Sequence, residues 1–168
     1  MKKIHQKEAP KLGKKLSEIV GEDGFLDSLK NADKIGVIRE MVEEAASRGK
    51  IRAEDVEDVI KRILKREQQG STGIGNGVAI PHIKQYPGVS EMVVVVGRTE
   101  HGVDFGAVDG QPCRLFFLIL TPKKQTEEHI KVLRRIAAIA RDAELCTYLT
   151  KEKDPKQLMR VLDAACEV

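Results

Sequence analysis

Apolar residues recur at helical spacing at Ile35, Ile38, Met41, Val42, Ala45 and Ala46, with Asn31 or Asp33 placed to cap the helix and Gly49 to stop it. A second stripe, Val56, Val59, Ile60, Ile63 and Leu64, predicts a helix over 53–69 that Gly70 ends. Its first turns carry Glu54, Asp55, Glu57 and Asp58 and its last turns Lys61, Arg62, Lys65 and Arg66, an order that complements the helix dipole. The period then changes. Residues 71–77 are glycine-rich, 78–80 read as a short strand ending at Pro81, and 92–96 form a β-branched run long enough for a strand buried on both faces. A short strand is expected around 103–105, before the turn signal Asp109-Gly110, and a second strong strand over 114–120. Helices return over about 127–141, 143–149 and 155–166, the last with Asp154 as cap and Pro155 in its first position. Helices on both sides of the strands in sequence predict an α/β fold, a central mixed β-sheet flanked by helices on both sides.

The chain has 168 residues, of which Leu, Ile, Val and Phe make up 47, enough to build a core. This length suits one domain. The longest uninterrupted apolar run, 115–120, has six residues, far below the ~20 that cross a bilayer. Lys2, Lys3 and Lys7 are followed by no apolar stretch, so neither a secretory signal nor membrane insertion is expected.

Net charge changes the picture only once it is divided. Residues 1–20 hold six Lys against Glu8 and Glu18, so the formal +3 of the whole chain leaves residues 21–168 at −1. The expectation is a mobile basic arm over 1–20, with one amphipathic turn at Leu12, Leu16 and Ile19, and a single domain over 21–168. A domain without basic excess, with no Trp and only six Phe and Tyr, has little with which to neutralise a phosphate backbone or stack on bases, so no nucleic-acid partner is expected. Cys113, Cys146 and Cys166 stand singly and suggest neither zinc nor a disulfide framework. They are expected as buried thiols in a reducing, cytoplasmic setting.

Two of the four histidines have surroundings that suit chemistry. His82 follows Gly73-Ile74-Gly75-Asn76-Gly77-Val78-Ala79-Ile80-Pro81, so a strand delivers it to a sheet edge. Gly73, Gly75 and Gly77 allow close approach to a ligand or aim several amides into one anion-binding concavity, with the Ser71 and Thr72 hydroxyls at its mouth. The bland alternative is a glycine-rich connector with an exposed His82. A dinucleotide fingerprint is excluded, because position 78 is Val and a helix precedes the loop, and no nucleotide P-loop occurs. His129 is the third helical residue if Thr126 is the N-cap, a position that favours a neutral ring able to bond a phosphoryl oxygen. Taken alone, it reads as an exposed polar residue in the first turn of a helix. Arg66, the last cation before the glycine loop, either neutralises a phosphoryl group or caps its own helix. His5 and His101 carry no such signal.

Together, the run from Arg66 to His82 (Arg66-Glu67-Gln68-Gln69-Gly70-Ser71-Thr72-Gly73-Ile74-Gly75-Asn76-Gly77-Val78-Ala79-Ile80-Pro81-His82) resembles the active-site signature of the EIIA type-2 domain of the bacterial phosphoenolpyruvate:sugar phosphotransferase system (PTS), found in fructose/mannitol-type and nitrogen-regulatory IIA components. Gly102-Val103-Asp104-Phe105, Asp109-Gly110-Gln111-Pro112, Leu120-Thr121-Pro122 and His129 extend the resemblance over about 25–162. It implies the fold of that family, with His82 accepting a phosphoryl group from an HPr-like phosphocarrier protein and His129 and Arg66 lining the same pocket. It also implies a IIB domain or a regulatory protein as the next partner. Ile83 departs from the small residue that commonly follows the family's active histidine, and the basic arm lies outside the pattern.

The chemistry suits these groups. A neutral imidazole nitrogen is a nucleophile and, once phosphorylated, a leaving group, so a relay between histidines needs mainly in-line positioning and neutralised equatorial oxygens. Arg66, His129, Ser71 or Thr72 and the glycine amides are the expected donors, with no metal ligands or cofactor called for, and Ile74, Val78 and Ile83 are candidates for an apolar rim, with core as the alternative for all three and the favoured reading for Val78. Two functions follow: a cytoplasmic carrier in sugar transport, or a regulatory binding module whose partner contact is switched by phosphorylation of His82.

Overall fold

The computed structural model describes residues 13–165. Its centre is a six-stranded mixed sheet built on two long antiparallel strands, β5 (Val93–Val103) and β6 (Cys113–Leu120), paired from Val93↔Leu120 to Arg98↔Leu115. On one flank β1 (Phe25–Leu26) runs parallel to β5, while on the other β3 (Val78–Ala79) and β4 (His82–Ile83) lie parallel to β6 and β2 (Gly73–Gly75) closes the edge. Pro81, which has no N–H to donate to a ladder, separates β3 from β4.

Strand alternation sorts the core into two layers. Phe116, Leu118 and Leu120 face α2 (Lys34–Ser47) and α3 (Val56–Gln68), meeting Val37, Ile38, Met41, Val59 and Ile63. Leu115, Phe117 and Ile119 face α1 (Leu16–Val20), α4 (Thr126–Ala140), α5 (Ala143–Lys151) and α6 (Pro155–Ala165). All of 115–120 is fully buried, and each such side chain contributes roughly 2 kcal/mol of burial free energy. The sheet with helices on both faces is thus the architecture the pattern predicts.

Local signals set most element ends. Asp33 caps α2 by accepting from the Gly36 amide at 2.8 Å, and Asp142 caps α5 by accepting from Leu145 at 2.9 Å. The differences are equally physical. Ile35 is 58% exposed because the buried face of α2 runs through Val37 and Ile38. The glycine-rich stretch is a hairpin whose Asn76 and Gly77 both take positive φ, 51° and 77°, as a tight primed turn requires. No separate strand forms at 103–105. Instead β5 continues to Val103 through a register shift after Arg98, and Phe105 is fully buried beside Phe116.

Residues 16–20, expected at the end of the basic arm, are instead a helix that buries Leu16 and Val20, with Ser17 bonded to Asp163. Residues 1–12, including Leu12 and His5, lie outside the described residues, as does Cys166. Cys113 and Cys146 are free and buried, and burial raises their thiol pKa values to about 12 and about 11. Among the described residues no helix is long and apolar enough to cross a membrane.

Candidate functional site

β4 sets the position of His82. Ile83 turns into the α2/α3 layer, so His82 faces the other side of the sheet, where α4 begins. The ring is half-buried, and its Nδ1 lies 2.6 Å from the carbonyl oxygen of Ile80. A carbonyl only accepts, so Nδ1 carries the ring proton and the lone pair of Nε2 is free. Burial lowers the pKa of His82. The bond to Ile80 and the charge of Glu67 work against that, and the positive charges of Arg66 and Lys84 work with it.

The ring of His129 stands 5.4 Å from that of His82, centroid to centroid, at an interplanar angle of 53°. A 3₁₀ turn, Lys123–Gln125, precedes α4, and Gln125 occupies the cap position with Thr126 as the first helical residue. His129 is therefore the fourth helical residue, one place later than expected. It is buried, with 5% of its surface exposed, and its Nδ1 is 2.7 Å from Thr121 Oγ1. Burial, with smaller contributions from His82 and Lys84, holds its pKa down at about 4, so the ring is neutral at neutral pH.

Arg66, in the last turn of α3, lines the same cavity of about 860 Å3 as the two histidines, and its Nη1 donates to the Gly70 carbonyl at 2.8 Å. The three side chains assigned to the chemistry from sequence are thus brought together from α3, β4 and α4. Lys61, Lys65 and Lys84 also line the cavity, and Ile83, Ile130 and Leu133 give it an apolar side.

The remaining expected anion donors do not line this cavity. Ser71 Oγ donates to the Phe105 carbonyl at 2.6 Å and accepts from the Gly73 amide at 3.0 Å. Thr72 is buried, and its hydroxyl donates to the Glu67 carboxylate, which also pairs with Lys34 Nζ at 2.6 Å. Gly73 packs so closely on Ala107 that an added Cβ would lie 2.7 Å from the Ala107 Cβ. Gly75 and Gly77 build the hairpin, and the Gly77 carbonyl accepts from Arg114 and Leu115. The glycine-rich run braces the strand that delivers His82. Of the three apolar residues considered for a rim, Ile83 lines the cavity, Val78 is fully buried in the core and Ile74 packs into the α4 layer.

Sequence reasoning missed Lys84, Thr121 and Ile130. Lys84 stands two residues after His82, and Thr121 closes the strand in Leu120-Thr121-Pro122, but neither has a periodicity that marks it as part of a site.

A ring with a free Nε2 lone pair, a neutral second ring and several cations form a constellation that can accommodate a phosphoryl group. Residues 19–165 match the family model described as phosphoenolpyruvate-dependent sugar phosphotransferase system, EIIA 2. A nitrogen regulatory protein of Bradyrhizobium diazoefficiens is 32% identical over 147 residues, covering 88% of this chain and 94% of that protein. The fructose-specific EIIABC component of Bacillus subtilis is 34% identical over 145 residues, 86% of this chain but only 21% of the relative. The crystal structure of nitrogen regulatory protein IIA-Ntr from Neisseria meningitidis superposes with a TM-score of 0.78 at 28% identity, covering 87% of this chain and 97% of the other.

Proposed function

The chain belongs to the EIIA type-2 family of the phosphoenolpyruvate-dependent sugar phosphotransferase system, and from that premise we propose that it takes a phosphoryl group from an HPr-like phosphocarrier onto Nε2 of His82 and passes it to a IIB partner in the cytoplasm. The observation that carries this reading is the bond from His82 Nδ1 to the Ile80 carbonyl, which leaves Nε2 unprotonated on a ring that lines the cavity shared with His129 and Arg66. In the forward step the Nε2 lone pair forms a bond to phosphorus while the P–N bond of the carrier's phosphohistidine breaks, its electron pair returning to the carrier's imidazole. One bond forms and one breaks, so no further reactant is needed. The Ile80 carbonyl holds the Nδ1 proton throughout and stabilises the positive charge that the ring gains on phosphorylation. Arg66 and a neutral His129 donating from Nε2 balance charge on the equatorial oxygens.

A second reading, a regulatory module whose His82 phosphorylation switches a protein contact, draws support from the near full-length likeness to nitrogen regulatory proteins. The two readings share the acceptor and differ in where the phosphoryl group goes.

The test is labelling with phosphoenolpyruvate, the first enzyme of the relay and an HPr-like carrier. Acid-labile phosphate is expected on the wild-type chain and none on His82→Ala. Undiminished labelling of that variant would place the acceptor elsewhere. Adding a IIB domain then separates the readings, since discharge to IIB supports transport and retention supports regulation.

A further inference from the structure

Among the described residues Glu67 is the only buried carboxylate, and no step of the transfer uses it. It follows Arg66 directly in the last turn of α3. Its carboxylate accepts from the Thr72 hydroxyl, from the Thr72 amide at 3.2 Å and from Lys34 Nζ at 2.6 Å. Lys34 reaches it from the start of α2 and also donates to the Phe105 carbonyl at 3.2 Å. A carboxylate taken out of water needs a countercharge and several donors, and these groups supply both. Thr72 belongs to the strand side of the fold. Its carbonyl accepts from the Ile80 amide at 3.0 Å, and the Ile80 carbonyl is the one bonded to His82 Nδ1. Arg66 belongs to the helix side, its guanidinium bonded to the Gly70 carbonyl within the same short loop. The bonds from Thr72 to Glu67 thus span residues 67–72 and join the segment that carries Arg66 to the segment that holds His82.

We propose that Glu67 is a positioning residue for phosphoryl transfer, its buried carboxylate acting through Thr72 to fix the Arg66 guanidinium in place relative to the His82 ring. This rests on the reading of His82 as the acceptor. A cation balances the equatorial oxygens only where it is held at contact distance, and a displacement of about 1 Å can cost about a hundredfold in rate. Arg66 has a long, half-buried side chain with one bond inside its own loop, so the conformation of that loop decides where its charge stands. Gly70, at a φ of 142°, gives the loop a backbone freedom that the bonds between Glu67 and Thr72 remove. The clamp touches neither the phosphoryl group nor the nucleophile, and acts by holding Arg66 where it is needed.

The experiment follows labelling of His82 in the full chain by a phosphorylated HPr-type carrier, and by phosphoramidate as a protein-free donor. Thr72→Val keeps the side-chain shape and removes the hydroxyl. It should lower kcat about tenfold with both donors and leave KM for the carrier within about twofold of wild type. Thr72→Ser, which keeps the hydroxyl, should hold the rate within about twofold of wild type. The 15N shifts of the His82 ring should not move in the valine variant, because the Ile80 bond is made by backbone. In an Arg66→Gln background the valine substitution should cost less than about twofold, since no guanidinium remains to be positioned. Glu67→Gln should repeat this cycle at pH 8, where the His82 ring is neutral with or without the carboxylate's charge, and it takes the place of Thr72→Val if that variant does not fold. A rate within about twofold of wild type, a loss confined to KM, shifted His82 nitrogens, or a loss that exceeds about twofold again without Arg66 overturns the proposal while leaving the acceptor reading intact. Failure of both donors to label wild-type His82 overturns the acceptor reading and the proposal with it.

Discussion

Thr121 Oγ1 lies 2.7 Å from Nδ1 of His129, and both residues are buried. Thr121 is itself fixed by its backbone, its amide donating to the Ile83 carbonyl and its carbonyl accepting from the Tyr86 amide. A hydroxyl donating to Nδ1 leaves the ring proton on the second nitrogen and one accepting from Nδ1 leaves that nitrogen bare, so the Thr121 contact sets the tautomer of the ring. Thr121→Val keeps the shape and removes that control. Phosphoryl transfer to His82 should slow about tenfold or more, Thr121→Ser should restore most of the rate, and the 15N shifts of the His129 ring should change with the valine variant alone. An unchanged ring spectrum in Thr121→Val would remove Thr121 from the site.

Arg66 is half-buried and holds a single bond to the Gly70 carbonyl, so its replacement disturbs the fold little. Charge-balancing donors of this kind contribute ~3 kcal/mol to a transition state, about a hundredfold in rate. Arg66→Gln should therefore lose roughly that factor in labelling rate with thermal stability within a degree or two of wild type. A rate loss below threefold would return Arg66 to capping its own helix.

His129 gives the fold an acid limit. Its pKa is near 4 in the folded chain against about 6.5 in the unfolded one. Between these values the unfolded state binds the additional proton, so stability is fully present above pH 6.5 and declines as pH falls through this window toward 4. The decline attributable to this ring reaches up to about 3 kcal/mol by pH 4. Urea titrations at pH 7, 5.5 and 4.5 should show a shallower slope in His129→Gln than in wild type, and parallel slopes would contradict the assignment.

Gly73 marks the tightest point of the brace. A Cβ there would fall 2.7 Å from the Ala107 Cβ and 2.8 Å from its Cα, so backbone has to shift. Gly73→Ala should cost about 1–3 kcal/mol and lower Tm by several degrees, at ~2–4 °C per kcal/mol for a chain of this size. Adding Ala107→Gly should recover part of the loss.

Much of this was legible in advance where the physics is local. The stripe Val56, Val59, Ile60 and Ile63 defines α3, and Asp33 and Asp142 cap their helices with the bonds their side chains permit. His82, His129 and Arg66 could be named from the motif and its spacing. What could not be read was the fate of groups whose partners are distant in sequence. The Ser71 and Thr72 hydroxyls bond the Phe105 carbonyl and the Glu67 carboxylate, and Glu67 pairs with Lys34 from across the fold. Gly73 reads as loop because its close neighbour, Ala107, lies 34 positions on. Ile35 and Val37 exchange roles for the same reason, since the face of α2 is chosen by the sheet it packs on.

Positions 66, 82 and 129 come together only when α3, β4 and α4 are all docked. The nucleophilicity of one imidazole consequently doubles as a gauge of foldedness. Its rate of modification by an acylating reagent such as diethyl pyrocarbonate, followed along a denaturant series, would register the undocking of either helix before global unfolding is complete, and no excised peptide bearing His82 alone should reproduce the native rate.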